Sequence, residues 1–249
     1  MDQYIQDFEK YNYSIVYDFN IGDGGLADCI KIFMWNLQKA IYFKFKLYYK
    51  INNIPIEHYL KLVHNKMYFN QDAIESNVIF IKPNQFYNVY SDNDITIPIS
   101  NVFLFSNEII NNANKLINEY NIAPKYISLH LRLGDKFLET DQQYVQCKED
   151  KRDFDISKID HFLKNNVRNN IIFFCDNNQF KKQFLEKNKN IISFNSNICH
   201  TGLKNTTNVL DTITEFYIMS KSDKIVSASE SGFPIIASKI NNIPIEYLY

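Results

Sequence analysis

The apolar positions change period early in the chain. Ser14-Ile15-Val16-Tyr17 reads as a strand and Gly22-Asp23-Gly24-Gly25 as a glycine turn, after which Leu26, Ile30, Phe33 and Leu37 recur at helical spacing. A second strand is predicted over residues 42–49, where Phe43-Lys44-Phe45-Lys46-Leu47 alternates as a half-buried strand does. Strand, helix and strand in this order predict a parallel β-α-β unit. Further on, the pattern predicts a short helix near 57–62, short strands at 78–81 and 86–90, and a helix over 107–120 that ends before the break at Pro124.

The rest of the chain alternates more regularly. Strands are predicted at 126–131, 170–175, 191–194 and 224–227, and helices at 156–165, 178–186, 208–220 and 232–239. This rhythm predicts a doubly wound parallel sheet, in which ligands lie at the carboxyl ends of the strands. The chain divides on this reading into residues 1–122 and 123–249.

Composition narrows the function classes. Hydrophobic content of 45% and charged content of 22% suit a folded globular protein. A net charge of −1 supplies no long-range field for nucleic acid, and no nucleic-acid partner is expected. Lys39, Lys44, Lys46 and Lys50 form the one basic stretch among aromatics, and the alternation there favours a strand over a binding patch. Cys29, Cys147, Cys175 and Cys199 are widely spaced with no CxxC pair, which argues against a zinc site and a disulfide scaffold. The polar, acidic start of the chain lacks the apolar core of a signal peptide, and no stretch approaches the roughly 20 apolar residues of a membrane span. A cytoplasmic location is the expectation. The abundance of Asn, Ile, Lys, Tyr and Phe resembles translation of an AT-rich genome, which weakens asparagine clusters as linker signals.

Candidate chemistry gathers after the predicted strands. His130-Leu131-Arg132-Leu133-Gly134-Asp135-Lys136 places two cations, a carboxylate and a glycine at a strand end. An arginine fork grips two phosphate oxygens at once, whereas the plain alternative is an Arg132–Asp135 salt bridge in a polar turn. Asp176 follows the apolar run Ile171 to Cys175, placed to accept hydrogen bonds from a ligand or to cap a helix. Glu215 precedes a strand followed by Ser227, Ser229, Ser231 and Gly232, which together form a candidate anion cradle at a helix start. His58, His64 and His161 lack the spacing of a metal site, and His200 reads as part of a polar surface loop.

In this order the segments resemble the GDP-fucose-dependent fucosyltransferases, the α1,2, α1,6 and protein O-fucosyltransferase groups. His130 to Asp135 is similar to their H-x-R-R-G-D, and the run to Lys136 resembles H-V-R-R-T-D-K of the α1,6 group. Ile171 to Asn177 resembles their strand ending in an Asp pair, Glu215 to Phe233 the segment D-F-x-L-M-S with its serine-rich sequel, and Gly24 to Cys29 the amino-terminal G-G-L-G-N-Q. Leu133 stands where most members have a second Arg, Ala27 and Asp28 replace Gly and Asn, and Glu230 and Gly232 interrupt the serine run.

The resemblance implies a GT-B architecture, two Rossmann-like halves facing across a cleft, with the second binding a nucleotide sugar and the first serving the acceptor. It implies inversion without a metal or other cofactor. Arg132 would grip the β-phosphate, and His130, Gly134, Lys136, Asp176, Glu215, Ser227, Ser229, Ser231, Gly24 and Gly25 would line the donor site. A carboxylate must act as general base, with Glu139 leading and Asp135, Asp23 and Asp28 as alternatives. Asp135 otherwise orients Arg132. Three functions stay open: transfer of fucose from GDP-fucose to a glycan or other hydroxyl acceptor, transfer from another nucleotide sugar, and a catalytically silent relative that binds glycan or protein.

Overall fold

The computed structural model describes residues 1–52, 54–70, 77–82, 95–139, 147–167, 170–196, 198–202 and 209–249. A short helix α1 (Asp2–Asp7), which the apolar pattern does not reveal, precedes β1 (Ser14–Phe19). Helix α2 (Leu26–Phe43) then returns the chain to β2 (Lys46–Ile51), parallel to β1 and in register from Ser14↔Lys46 to Phe19↔Ile51. Strand β4 (Val78–Ile81) lies on the other side of β1, also parallel, so the predicted β-α-β unit is the centre of this sheet.

Two sequence expectations change in this half. The strand expected over 42–49 begins only at Lys46, because α2 continues through Tyr42 and Phe43 and ends on Lys44 in the left-handed region (φ 59). The alternation around Phe43 therefore straddles a helix end, where the Phe43 ring stacks on Phe45 at 6.0 Å. The helix expected at 57–62 is one turn, α3 (Ile56–Tyr59), followed by β3 (Leu60–Leu62), which pairs antiparallel with β5 (Phe103–Phe105). Pairing with a distant segment overrides the local helical pattern. The strand expected at 86–90 lies outside the described residues.

The lysines of the basic stretch are committed individually rather than to a common face. Lys46 is buried with its ammonium 3.6 Å from Glu9, Lys50 is 3.4 Å from Asp18, and Lys39 lies over the Trp35 ring at 5.0 Å.

Helix α4 (Asn107–Glu119) leads into the second sheet, ordered β7-β6-β8-β9 and parallel throughout. Its strands are β6 (Ile127–Leu131), β7 (Ile171–Cys175), β8 (Lys224–Ser227) and β9 (Ile245–Tyr247). Between them run α5 (Ile156–Asn165), α6 (Asn178–Lys187), α7 (Val209–Met219) and α8 (Gly232–Ile240). The segment 191–194, expected as a strand, makes only the single bridge Ile192↔Ile172. Strand β9 lies beyond the last element that the apolar pattern predicts.

Period-two alternation sends successive residues of these strands to opposite faces. Leu129 and Leu131 of β6 join Ile171 and Phe173 of β7 in one core layer with Phe162 and Phe184. Ile172 and Phe174 face the other way, into a larger core that also contains Phe33, Leu37, Phe103, Ile213, Phe216 and Ile236. That core runs without interruption between the two sheets. Helix α2 is buried on more than the single face its spacing predicts, because α8 packs against the side turned from its own strands.

Phe216 is fully buried at the centre of this shared core, edge-on to Phe233 at 4.8 Å and 6.2 Å from Phe105. Phe216→Ala should cost about 3–5 kcal/mol in chemical denaturation. Because the core is common to both sheets, Trp35 fluorescence on α2 should report the same lowered midpoint as far-UV circular dichroism.

Candidate active site

Strands β6, β7 and β8 run parallel, so their carboxyl ends lie along one edge, where the loops after Leu131, Cys175 and Ser227 converge. A cavity of about 510 Å³ opens there between these loops and the amino-terminal turn of α2. Gly25, Asp28 and Lys31 line one wall; His130, Arg132, Asp150, Arg152, Asp176 and Glu215 line the other. A larger cavity of about 740 Å³ lies beside Ile171, at the opposite end of β7, and contains none of these residues. Only the smaller one stands where a parallel α/β sheet places its chemistry.

Arg132 is the hub of the site. One terminal nitrogen of its guanidinium pairs with Asp135 Oδ1 and lies 3.6 Å from Asp150 Oδ2, while the other is 3.5 Å from Asp176 Oδ2. Its backbone is clamped by Ser229, whose hydroxyl accepts the Arg132 N–H at 2.8 Å and donates to the Arg132 carbonyl at 2.9 Å. The salt bridge to Asp135 expected of a polar turn is thus present, within a larger carboxylate collar.

Asp176 fixes the loop from the neighbouring strand. Its two oxygens accept the N–H groups of Leu133 (2.7 Å) and Gly134 (3.0 Å). Burial pushes its carboxyl above the usual range, against the opposing pull of Arg132 and these amides. Gly134 has φ 107, and a Cβ there would stand 2.5 Å from the Asp150 carbonyl oxygen, so loop and opposing segment meet backbone to backbone. Asp135 completes the turn by accepting the Cys147 N–H at 3.1 Å.

The other expected donor-site residues divide. His130, Glu215, Ser231 and Gly25 line the cavity with Arg132, Asp135 and Asp176. Ser227 is turned inward, donating to the Ser229 carbonyl at 2.9 Å, and Ser229 serves the Arg132 backbone. The serine run therefore contributes one residue, Ser231, to the wall, where it caps α8 by accepting the Phe233 N–H at 3.3 Å. Gly24 (φ 130) abuts Asp28, leaving room for the Asp28 carboxylate to accept the Gly25 N–H at 3.1 Å. Lys136 is exposed and outside the lining.

The carboxylates considered as general base also separate. Glu139 is outside the lining and caps α6, accepting the N–H groups of Asn178 (3.1 Å) and Gln179 (2.7 Å). Asp23 accepts the Asn20 N–H at 2.8 Å within the glycine turn. Asp28 lines the cavity, 3.6 Å from Lys31.

Buried groups close the floor. Glu215 Oε1 lies 3.7 Å from Lys181 Nζ and accepts no hydrogen bond among the described residues. Burial raises the Glu215 carboxyl above its ordinary value, with Lys181 opposing. His130 stacks on Phe233 at 5.7 Å, and burial, reinforced by the charge of Arg132, lowers its imidazole to about 3.

His200 corrects a sequence expectation, since it lines the cavity instead of lying in a surface loop. Its Nδ1 accepts the Gly202 N–H at 3.2 Å, and burial lowers its basicity against the opposing charge of Asp135. Next to it, Thr201 Oγ1 accepts the Leu26 N–H at 2.7 Å, capping α2 across the cleft. Asp150 and Arg152 were also missed. They follow 140–146 in sequence and come to the motif loop only through space, so no local pattern marks them.

Two parallel sheets with their charged loops at a shared cleft define a GT-B-like α/β fold. No protein-family model matches the sequence, and no curated protein does. Among solved structures, an Arabidopsis thaliana FUT1 mutant in complex with GDP superposes with a TM-score of 0.61 at 9% identity, over 100% of this chain and 73% of that one. NodZ α1,6-fucosyltransferase soaked with GDP-fucose gives 0.55 at 11% identity, over 94% of each chain. NodZ from Bradyrhizobium gives 0.50 at 10% identity, over 90% of this chain and 91% of that one. The chain shares its fold with these fucosyltransferase structures, a likeness of structure and not of sequence. No helix among the described residues is long and apolar enough to cross a membrane.

The depressed basicity of His130 makes stability depend on pH. The folded protein protonates this imidazole only near 3 and the unfolded chain near 6.5. Between those values the unfolded state holds the extra proton, so this contribution is complete above 6.5 and lost as pH falls toward 3. In urea titrations below that upper limit, wild type should lose stability relative to His130→Phe at about 1.4 kcal/mol per pH unit.

Proposed function

We propose that the protein is an inverting glycosyltransferase that moves a sugar, fucose, from a GDP-sugar to a hydroxyl of a glycan or similar acceptor. The observation that carries this reading is Arg132, lining the cleft at the carboxyl end of β6 in a fold shared with structures determined with GDP and GDP-fucose. On departure the nucleoside diphosphate gains negative charge, and a guanidinium held beforehand in place stabilises that charge without reorganising. Asp135 and Asp176 position it, and Ser229 holds its backbone. Residues 123–249 take the donor in this reading and residues 1–122 the acceptor side.

Glu215 supports guanine as the base. Glu215 lines the cavity floor beside Lys181, at the position where the family resemblance places a carboxylate that binds the base, and a carboxylate suits a ring that presents N–H groups side by side, as guanine does and uracil does not. For the proton of the acceptor hydroxyl, the cavity favours Asp28 over Glu139. Asp28 faces the cleft from the wall opposite Arg132, whereas Glu139 lies outside the lining. In this reading Arg132 takes the charge on the diphosphate in place of a metal, and EDTA should leave turnover unchanged.

In a thermal-shift panel GDP and GDP-fucose should raise the melting temperature, and UDP should not. Arg132→Ala should lower donor turnover by about 10²–10³-fold. Protection by UDP alone would move the protein to another donor class, and protection by glycans without any nucleotide would make it a binding protein. Asp28→Asn, which keeps an oxygen for the Gly25 N–H, should lower kcat by roughly 10²–10⁴-fold while GDP binds as to wild type. Loss of GDP affinity in that variant, with turnover of bound donor intact, would remove Asp28 from the role of base.

A further inference from the structure

The motif loop offers a diphosphate one arginine, and the next side chain, Leu133, is buried in the core layer beneath the loop. The Leu133 backbone, however, holds a second arginine in place. Its carbonyl accepts the Arg152 N–H at 2.9 Å, and the Asp150 carbonyl accepts the Lys136 N–H at 3.0 Å. Asp150 Oδ2 also accepts the Asp135 N–H at 3.1 Å. Residues 150–152 are thereby laid alongside 133–136, and Arg152 lines the same cavity as Arg132.

The two guanidiniums share one anion. Asp150 Oδ1 lies 2.9 Å from Arg152 Nε, while Asp150 Oδ2 lies 3.6 Å from Arg132. A carboxylate that spans two forks holds them at the separation of two oxygens on a single small anion. A diphosphate presents such oxygens with more charge, each phosphoryl group able to take one fork. The Arg152 side chain is the more exposed of the pair, at 36% against 22% for Arg132, while its Nε is buried against Asp150.

We infer that Arg152 is a second diphosphate-binding residue, supplied from outside the motif loop, and that Asp150 keeps both guanidiniums spaced for the ligand. This rests on the nucleotide-diphosphate reading of the same cleft. Arg132 takes one phosphoryl group and Arg152 the other, so the charge of the leaving diphosphate is met from two separate segments of chain.

The test is calorimetric titration of the full chain with GDP, guanosine and inorganic pyrophosphate, using wild type, Arg152→Ala, Arg152→Lys and Arg132→Ala. Circular dichroism of each unliganded variant identifies any that fail to fold, and Arg152→Lys retains the charge should the alanine variant do so. Arg152→Ala should bind GDP and pyrophosphate roughly 10- to 100-fold more weakly, with guanosine affinity unchanged. Arg152→Lys should recover only part of the loss, since an ammonium lacks the fork. A folded Arg152→Ala that binds both diphosphates as wild type does overturns the inference. Wild type that binds neither diphosphate overturns the nucleotide reading and this one together. Wild type that binds pyrophosphate but not GDP, with the binding lost in Arg152→Ala, rejects the GDP reading and keeps Arg152 in its role.

Discussion

The site depends on keeping one guanidinium charged, oriented and only partly exposed at a strand end. Arg132 meets this constraint through carboxylates drawn from three places: Asp135 in its own loop, Asp176 after the neighbouring strand and Asp150 from a segment beyond. Each of the three has a second task. Asp176 anchors two loop amides, Asp135 receives the Cys147 N–H, and Asp150 holds Arg152. Removing any one of them would disturb backbone and charge together. The backbone is fixed as firmly, since Ser229 bonds both peptide groups of Arg132 from the loop after the adjacent strand β8.

The same arrangement sets an electrostatic limit on the ligand. Among the described residues, six carboxylates line the cavity, Asp28, Asp135, Asp150, Asp176, Glu215 and Glu230, against the cations Lys31, Arg132 and Arg152. An unpartnered anion would be repelled in such surroundings. A ligand that both displaces Asp150 from the guanidiniums and brings N–H or O–H donors for the remaining carboxylates matches the cavity better than a bare anion does. A sugar nucleotide has that mixed character, with phosphoryl oxygens at its centre and donor groups at both ends.

The second sheet was legible in the sequence because parallel strands buried on both faces are short continuous apolar runs, as in Ile171 to Cys175, and their carboxyl ends announce themselves by a change to charge. Arg132, Asp135 and Asp176 were found by that rule, and helix α5 matches its predicted bounds. What escaped depends on distant partners. Strands β3 and β5 exist because they pair with each other across 40 residues or more, as the Leu60↔Phe105 register shows. Arg152 and His200 carry no periodic signal, and only their approach to the motif loop and to α2 gives them a place in the site. Glu139 is the reverse case: sequence proximity to the motif points to chemistry, and in the fold the carboxylate is engaged at the start of α6.

The short segment around Thr201 connects the two walls of the cleft. Thr201 caps the first turn of α2, the Gly202 carbonyl accepts the Gly22 N–H at 3.1 Å, and a Cβ on Gly202 would collide with the Gly24 carbonyl oxygen. A stretch that follows β7 in sequence is therefore stitched to the turn that follows β1. Separating the walls would uncap α2, at about 1 kcal/mol for the cap alone, and would withdraw His200 from the cavity at the same moment. The width of the cleft and the placement of an imidazole within it are thus one mechanical variable rather than two.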